Sequence, residues 1–175
     1  MGVLVNFVCA TLFILCELPT DSLDYDYQKK FVHEITNCAL KHNTTVYPYD
    51  RIPILIVQAQ SIQESNWGRS RFAVEGKNYF GIKEYNLSEP HMKAKLRPNA
   101  DWGLRKYHSM CDSVEDYMNL LSTSYKYEEF QELLLMQWFK NEVDLFALVD
   151  TLYNYAENPE YEEEIKNLIT KLEDM

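Results

Sequence analysis

Positive charge is scarce in this chain. Its 175 residues carry 17 Lys and Arg against 27 Asp and Glu, a formal net charge of −10. Nucleic-acid binders draw their affinity from basic side chains set against phosphates, so this balance excludes nucleic acid as a partner. It also argues against anionic membranes and anionic wall polymers, and leaves a glycan of little charge as a compatible ligand. Metal-ligand spacing is missing too. The four cysteines (Cys9, Cys16, Cys38, Cys111) form no C-x-x-C and no Cys/His zinc pattern. His33 and His42 have no metal-type partner at helical spacing, so no metal and no cofactor is expected. There is no internal repeat and no low-complexity tract. No charged side chain precedes Glu17, and the apolar run Val3 to Cys16 is shorter than the roughly 20 residues that cross a bilayer. Its length suits the apolar region of a secretory signal, although it lacks a leading Lys or Arg and a small-x-small cleavage site. Residues 1–20 are therefore read as an export signal or anchor, and residues 21–175 as one folded domain. No integral membrane domain is expected beyond that anchor, and the protein is expected to be a monomer.

What the chain does contain is apolar and aromatic. Hydrophobic residues make up 46%, with thirteen Tyr, eight Phe and three Trp. That supports a sizeable core in a single domain and excludes wholesale disorder. Leu18 to Asp26 reads as a polar, acidic linker. The spacing of Phe31, Ile35, Cys38 and Ala39 predicts an amphipathic helix over 27–42. Cys38 and Cys111 lie in the folded part and are read as buried free thiols, with a disulfide open to them in an exported protein. Met92 to Leu96 and Trp102 to Tyr107 alternate around the turn 98–101 and predict a small β-hairpin. Asp112 followed by Glu115 marks a helix start, and further helices are expected over about 128–139, 143–155 and 162–172.

The chain turns on Pro53 to Lys83, PILIVQAQSIQESNWGRSRFAVEGKNYFGIK. Pro53 suits a helix start. Leu55, Ile56, Val57, Ala59 and Ile62 make the helix apolar nearly all round, hence buried. Gly68 is placed to end it in a left-handed cap. Glu64 sits late in that helix. Burial disfavours the charged carboxylate and raises its pKa, and a carboxyl protonated near neutral pH is what a glycosidase uses as general acid.

Residues 59–68, AQSIQESNWG, resemble the A-Q-A-x-x-E-S-x-W-G motif of the bacterial and phage glucosaminidases of glycoside hydrolase family 73. Ser70, Ala73, Gly76, Asn78 and Phe80 to Lys83 are similar to that family's S-x-x-A-x-x-G-x-N-x-F-G-I-K continuation, in register and without a gap. Gln63 and Asn66 stand where the family usually has Leu and Gly. Two further pieces resemble the family: Tyr107 to Leu121, and Tyr155-Ala156-Glu157-Asn158-Pro159-Glu160-Tyr161, its Y-A-x-x-P-x-Y segment. The resemblance spans about 51–172. It implies a lysozyme-like α+β fold, mainly α, with a small β-lobe over a cleft. It implies cleavage of a β-1,4 bond at N-acetylglucosamine in a peptidoglycan glycan strand, with Glu64 as catalytic acid and Tyr161 close to it. Asp101 and Glu84 are the lobe carboxylates ranked first for a second catalytic role, ahead of Glu89. Ser65, Trp67, Asn78, Phe80, Gly81 and Tyr155 are candidates for touching the sugar. A lytic transglycosylase-like enzyme and a non-catalytic glycan-binding domain are the alternative readings. The expected place is the cell envelope after export, or a host wall if the protein is phage-encoded.

Overall fold

The computed structural model describes residues 20–175, so the expectations for the N-terminal segment, Cys9 and Cys16 fall outside the described residues. The element order is α1 (Thr20–Asn43), a 3-10 turn (Pro48–Asp50), α2 (Ile54–Ser65), α3 (Arg71–Gly76), β1 (Lys83–Glu84), β2 (His91–Met92), β3 (Gly103–Arg105), α4 (Met110–Thr123), a second 3-10 turn (Tyr125–Tyr127), α5 (Glu128–Lys140), α6 (Leu145–Asp150) and α7 (Tyr161–Glu173). This is the mainly helical α+β architecture that the sequence predicts.

The middle of the molecule is α2. Ile56, Val57, Ala59, Gln60, Ser61 and Ile62 are all buried, because α1 packs on one side of the helix and α7 on another. Removing that much apolar side-chain surface from water is the main stabilising term. Ile35 and Ala39 of α1, Val114, Tyr117, Met118 and Leu121 of α4, and Ile165 and Ile169 of α7 complete one continuous core.

Several local expectations are corrected. Residues 20–26 continue α1 rather than forming a linker. Gln28 donates to Asp24, Arg69 pairs with Asp24, and the Tyr27 hydroxyl donates to the Trp67 carbonyl at 3.1 Å. These bonds tie the first turns to the domain. The left-handed cap of α2 is Asn66, with φ 51°, not Gly68. Asn tolerates that region better than most side chains, which accounts for Asn at a place where the related sequences usually carry Gly. Trp67 and Gly68 continue with φ 57° and 73°. The cap of α4 is Ser109 in a capping box with Asp112, three residues before the expected start. Cys38 and Cys111 are joined in a disulfide, with Cα atoms 4.9 Å apart and 73 residues between them in sequence. The free-thiol reading is therefore wrong: α1 packs so closely on α4 that the two side chains meet.

The predicted hairpin is β2 and β3, which pair antiparallel with His91 opposite Arg105. Residues 83–84, not foreseen as a strand, add a third, with Lys83 opposite Leu104 and sheet order β1-β3-β2. Arg105 fastens this small lobe to the helices. It donates to Glu84 at 2.9 Å and to Asp116 of α4 at 2.7 Å. The Tyr107 hydroxyl also donates to Asp116.

Candidate active site

Two polar side chains of α2, Gln60 and Glu64, lie one helical turn apart and so point the same way. Gln60 is fully buried and would be costly there unless both ends of its amide were satisfied. They are. Its oxygen accepts from the Tyr117 hydroxyl, and its Nε2 donates to the Tyr161 oxygen at 2.7 Å. A phenol oxygen that accepts a hydrogen bond keeps its own O–H free to donate. The Tyr161 hydroxyl lies in hydrogen-bonding reach of the Glu64 carboxyl. The line Tyr117–Gln60–Tyr161 therefore runs in one direction, each group donating to the next, and it leaves the Tyr161 O–H unspent beside Glu64.

Glu64 is partly buried. Desolvation pushes its pKa up from an ordinary 4.5 to about 7, and the Tyr161 hydrogen bond opposes that rise by favouring the charged form. Four phenols surround the carboxyl: Tyr117, Tyr127, Tyr155 and Tyr161. Burial and the Glu64 charge hold all four above their usual range, so all four are neutral.

The chain after α3 closes the site from the other side. Asn78 is buried and its amide makes four bonds. Nδ2 donates to the carbonyls of Ile82 and Arg105, both at 2.9 Å, and Oδ1 accepts from the N–H groups of Phe80 and Ile82. The turn so fixed lays Phe80 flat on Tyr117, with ring centroids 4.0 Å apart. It also carries Gly81 at φ 67°. A Cβ at position 81 would stand 3.2 Å from Glu64 Oε2, so the backbone there borders the carboxyl directly. Tyr155 completes the frame, with its hydroxyl on the Phe80 carbonyl at 2.7 Å and its ring parallel to Tyr161 at 5.8 Å.

An open groove of about 510 Å³ runs past these groups. Glu64, Phe80, Gly81 and Tyr155, all singled out from the sequence, border it, and Tyr161 backs Glu64. The other candidates lie elsewhere. Ser65 is buried, with its hydroxyl donating to the Ser61 carbonyl and accepting from Gly68 N–H. Trp67 packs edge-on against Phe31. Asn78 has spent its amide on the turn. Glu84 is buried, ion-paired to Arg105 and hydrogen-bonded by Asn86 N–H, which hold its carboxyl below the usual range. Asp101 is exposed in the β2–β3 connection. None of these five borders the groove. Sequence reasoning missed Lys83, Tyr85, Lys126, Tyr127, Asn154 and Glu157, which do. Glu157 lies inside the Tyr155–Tyr161 segment, and that proximity was the available signal. Among the described residues no group of three His, Cys, Asp or Glu is arranged to hold a metal.

A helical body, a small antiparallel sheet and a half-buried Glu facing a groove between them is the arrangement of the lysozyme-like glycosidases. The comparisons with known proteins give the family. Residues 47–174 match the Glucosaminidase family, described as mannosyl-glycoprotein endo-beta-N-acetylglucosaminidase, and the chain belongs to that family. It is 25% identical to exo-glucosaminidase LytG of Bacillus subtilis over 94% of this chain and 59% of LytG, so it spans about three fifths of that relative. Its fold matches the catalytic domain of the autolysin Auto from Listeria monocytogenes, with TM-score 0.63, 24% identity, and 91% of this chain and 89% of that one covered. It also matches a peptidoglycan hydrolase from Sphingomonas sp. A1, with TM-score 0.54, 22% identity, and 76% and 81% covered.

Proposed function

We propose that this protein hydrolyses the glycan strands of peptidoglycan at a β-1,4 bond of N-acetylglucosamine, with Glu64 as general acid. The observation that carries this reading is the Glu64 carboxyl, raised to about 7 at the edge of an open groove. Family membership and the names of the relatives supply the substrate class. The protonated Glu64 donates to the leaving glycosidic oxygen as the C1–O bond breaks. Water attacks C1 and gives up a proton, so the sum is one bond cleaved by one water. Glu157, the other carboxylate bordering the groove, is the base for that water. Glu84 does not suit the role because Arg105 already neutralises it.

Tyr161 sets the readiness of the acid. By donating to the carboxyl it would stabilise the anion left after proton transfer, and Gln60, which donates to the phenol oxygen, holds Tyr161 in place. Export is part of the same reading. The disulfide needs an oxidising compartment to persist, and wall glycan lies outside the cytoplasm. No helix of the described residues is long and apolar enough to cross a membrane. The test is mass spectrometry of fragments released from defined peptidoglycan by the wild type and by Glu64→Gln. The expected products carry reducing N-acetylglucosamine ends, and the variant releases almost none. Equal release by the variant overturns the assignment, and 1,6-anhydro ends would replace hydrolysis by lytic transfer.

A further inference from the structure

The groove does not stop at the catalytic carboxyl. A second cavity of about 530 Å³ adjoins it and shares two wall residues with it, Lys126 and Asn154. Asn154 bonds the Lys126 carbonyl across the join, so the common wall is tied together. Beyond it stand two tyrosines that pack little of their rings against the protein, Tyr125 at 84% and Tyr153 at 54% exposed. Single exposed aromatics are ordinary. Two that border one cavity, opening from a groove whose own wall carries Tyr127 and Tyr155, form a series of rings along one path.

We infer that this second cavity is a remote sugar-binding stretch, holding uncharged N-acetylated residues of the same strand whose scissile bond lies at Glu64. The inference rests on the glycosidase reading for the identity of the strand. Its volume falls within the roughly 300–1,000 Å³ of ordinary ligand sites, enough for a short saccharide. A Tyr ring offers a sugar an apolar face and a hydroxyl without adding charge. Glu128, Glu129 and Glu132 outnumber Lys126 in the wall, which disfavours phosphate-rich polymers and leaves the N-acetylglucosamine units of the strand as the occupants. The site acts as a grip on long strands: it binds ground state and transition state alike, and lowers KM more than it raises kcat.

The test uses N-acetylchito-oligosaccharides of two to eight sugars and calorimetry on Glu64→Gln protein, which binds without cleaving. Affinity should rise about tenfold as the oligosaccharide grows long enough to reach the second cavity. In the same protein carrying Tyr125→Ala and Tyr153→Ala that rise disappears, while disaccharide affinity stays the same. Both tyrosines are exposed, and an unchanged thermal midpoint confirms the fold. Affinity independent of length, an equal rise in the tyrosine variant, or no binding at any length overturns the inference. Fragment release from peptidoglycan by wild-type protein is scored separately. Its absence would sink the glycosidase reading, whereas length-dependent binding alone decides the cavity.

Discussion

Replacing Glu64 by Gln should make the protein more stable, and only at high pH. The side chain keeps its shape and hydrogen-bonding capacity but never ionises. The folded-state pKa of about 7 lies above the ordinary 4.5. Below about pH 4.5 the carboxyl is protonated whether the chain is folded or not, and contributes no difference. Between there and about pH 7 the unfolded chain has lost this proton and the folded one keeps it, so wild-type stability falls as pH rises. Above pH 7 both states are ionised and the whole penalty of holding a desolvated carboxylate is present. At about 1.4 kcal/mol per pH unit, that penalty is roughly 3 kcal/mol. For a domain of this size, about 3 kcal/mol moves the thermal midpoint by about 6–12 °C. Calorimetric melts of both proteins at pH 4.5 and 8.5 read it directly. The midpoints should nearly coincide at the lower pH and separate by several degrees at the higher, with the variant above. Equal separation at both would show that Glu64 titrates as a solvent-exposed carboxylate, and the proton-donor argument would fall with it.

Glycan cleavage by the wild type should fall as pH rises through about 7, because the acid then arrives deprotonated; a rate still climbing at pH 8.5 contradicts this. Tyr161→Phe removes the hydrogen bond that favours the anion, so this descending limb should move to higher pH while the rate drops; an unmoved limb detaches Tyr161 from the acid. Gln60→Leu leaves the Tyr117 and Tyr161 hydroxyls without their buried partner and should cost about 1–3 kcal/mol in chemical denaturation, and a neutral result denies the hydrogen-bonded line. Reducing Cys38–Cys111 opens a loop of 73 residues, worth about 4 kcal/mol on chain-entropy grounds, so the melting midpoint should drop clearly with reductant. Gly81→Ala forces a side chain at φ 67° and brings its Cβ to 3.2 Å from Glu64 Oε2; activity should fall at least tenfold with little loss of kinetic response to strand length.

The parts of this fold that were legible are those with a local cause. The apolar run 55–62 announced a buried helix, and the Phe80–Gly81 turn beside Glu64 was readable from glycine placement and the family resemblance. What escaped was decided across the chain. Arg105 lies 21 residues from Glu84, and their pairing turned a candidate acid into a fastening for the lobe. Asn78 looked available for a sugar because its four backbone partners are invisible until the turn closes. The disulfide depended on α1 and α4 meeting. Gln63, a departure from the related sequences, bonds Glu164 of α7 at 2.6 Å, a contact between residues 101 apart that no local pattern announces. Glu157 opens an acidic run, 157–164, that reads from sequence as a solvated helix face, and only the fold brings it to the groove.

The acid and its phenol ride on α2 and α7, which are clasped at Gln60–Tyr161 and again at Gln63–Glu164. The opposite bank leads into a sheet whose strands are two or three residues long. That sheet is joined to the helices through Arg105 and Tyr107, which both bond Asp116 of α4. Glu64 and Tyr161 thus take their spacing from two helices tied to each other at two points, so substitutions in the small sheet should leave the distance between the proposed donor and its phenol unchanged.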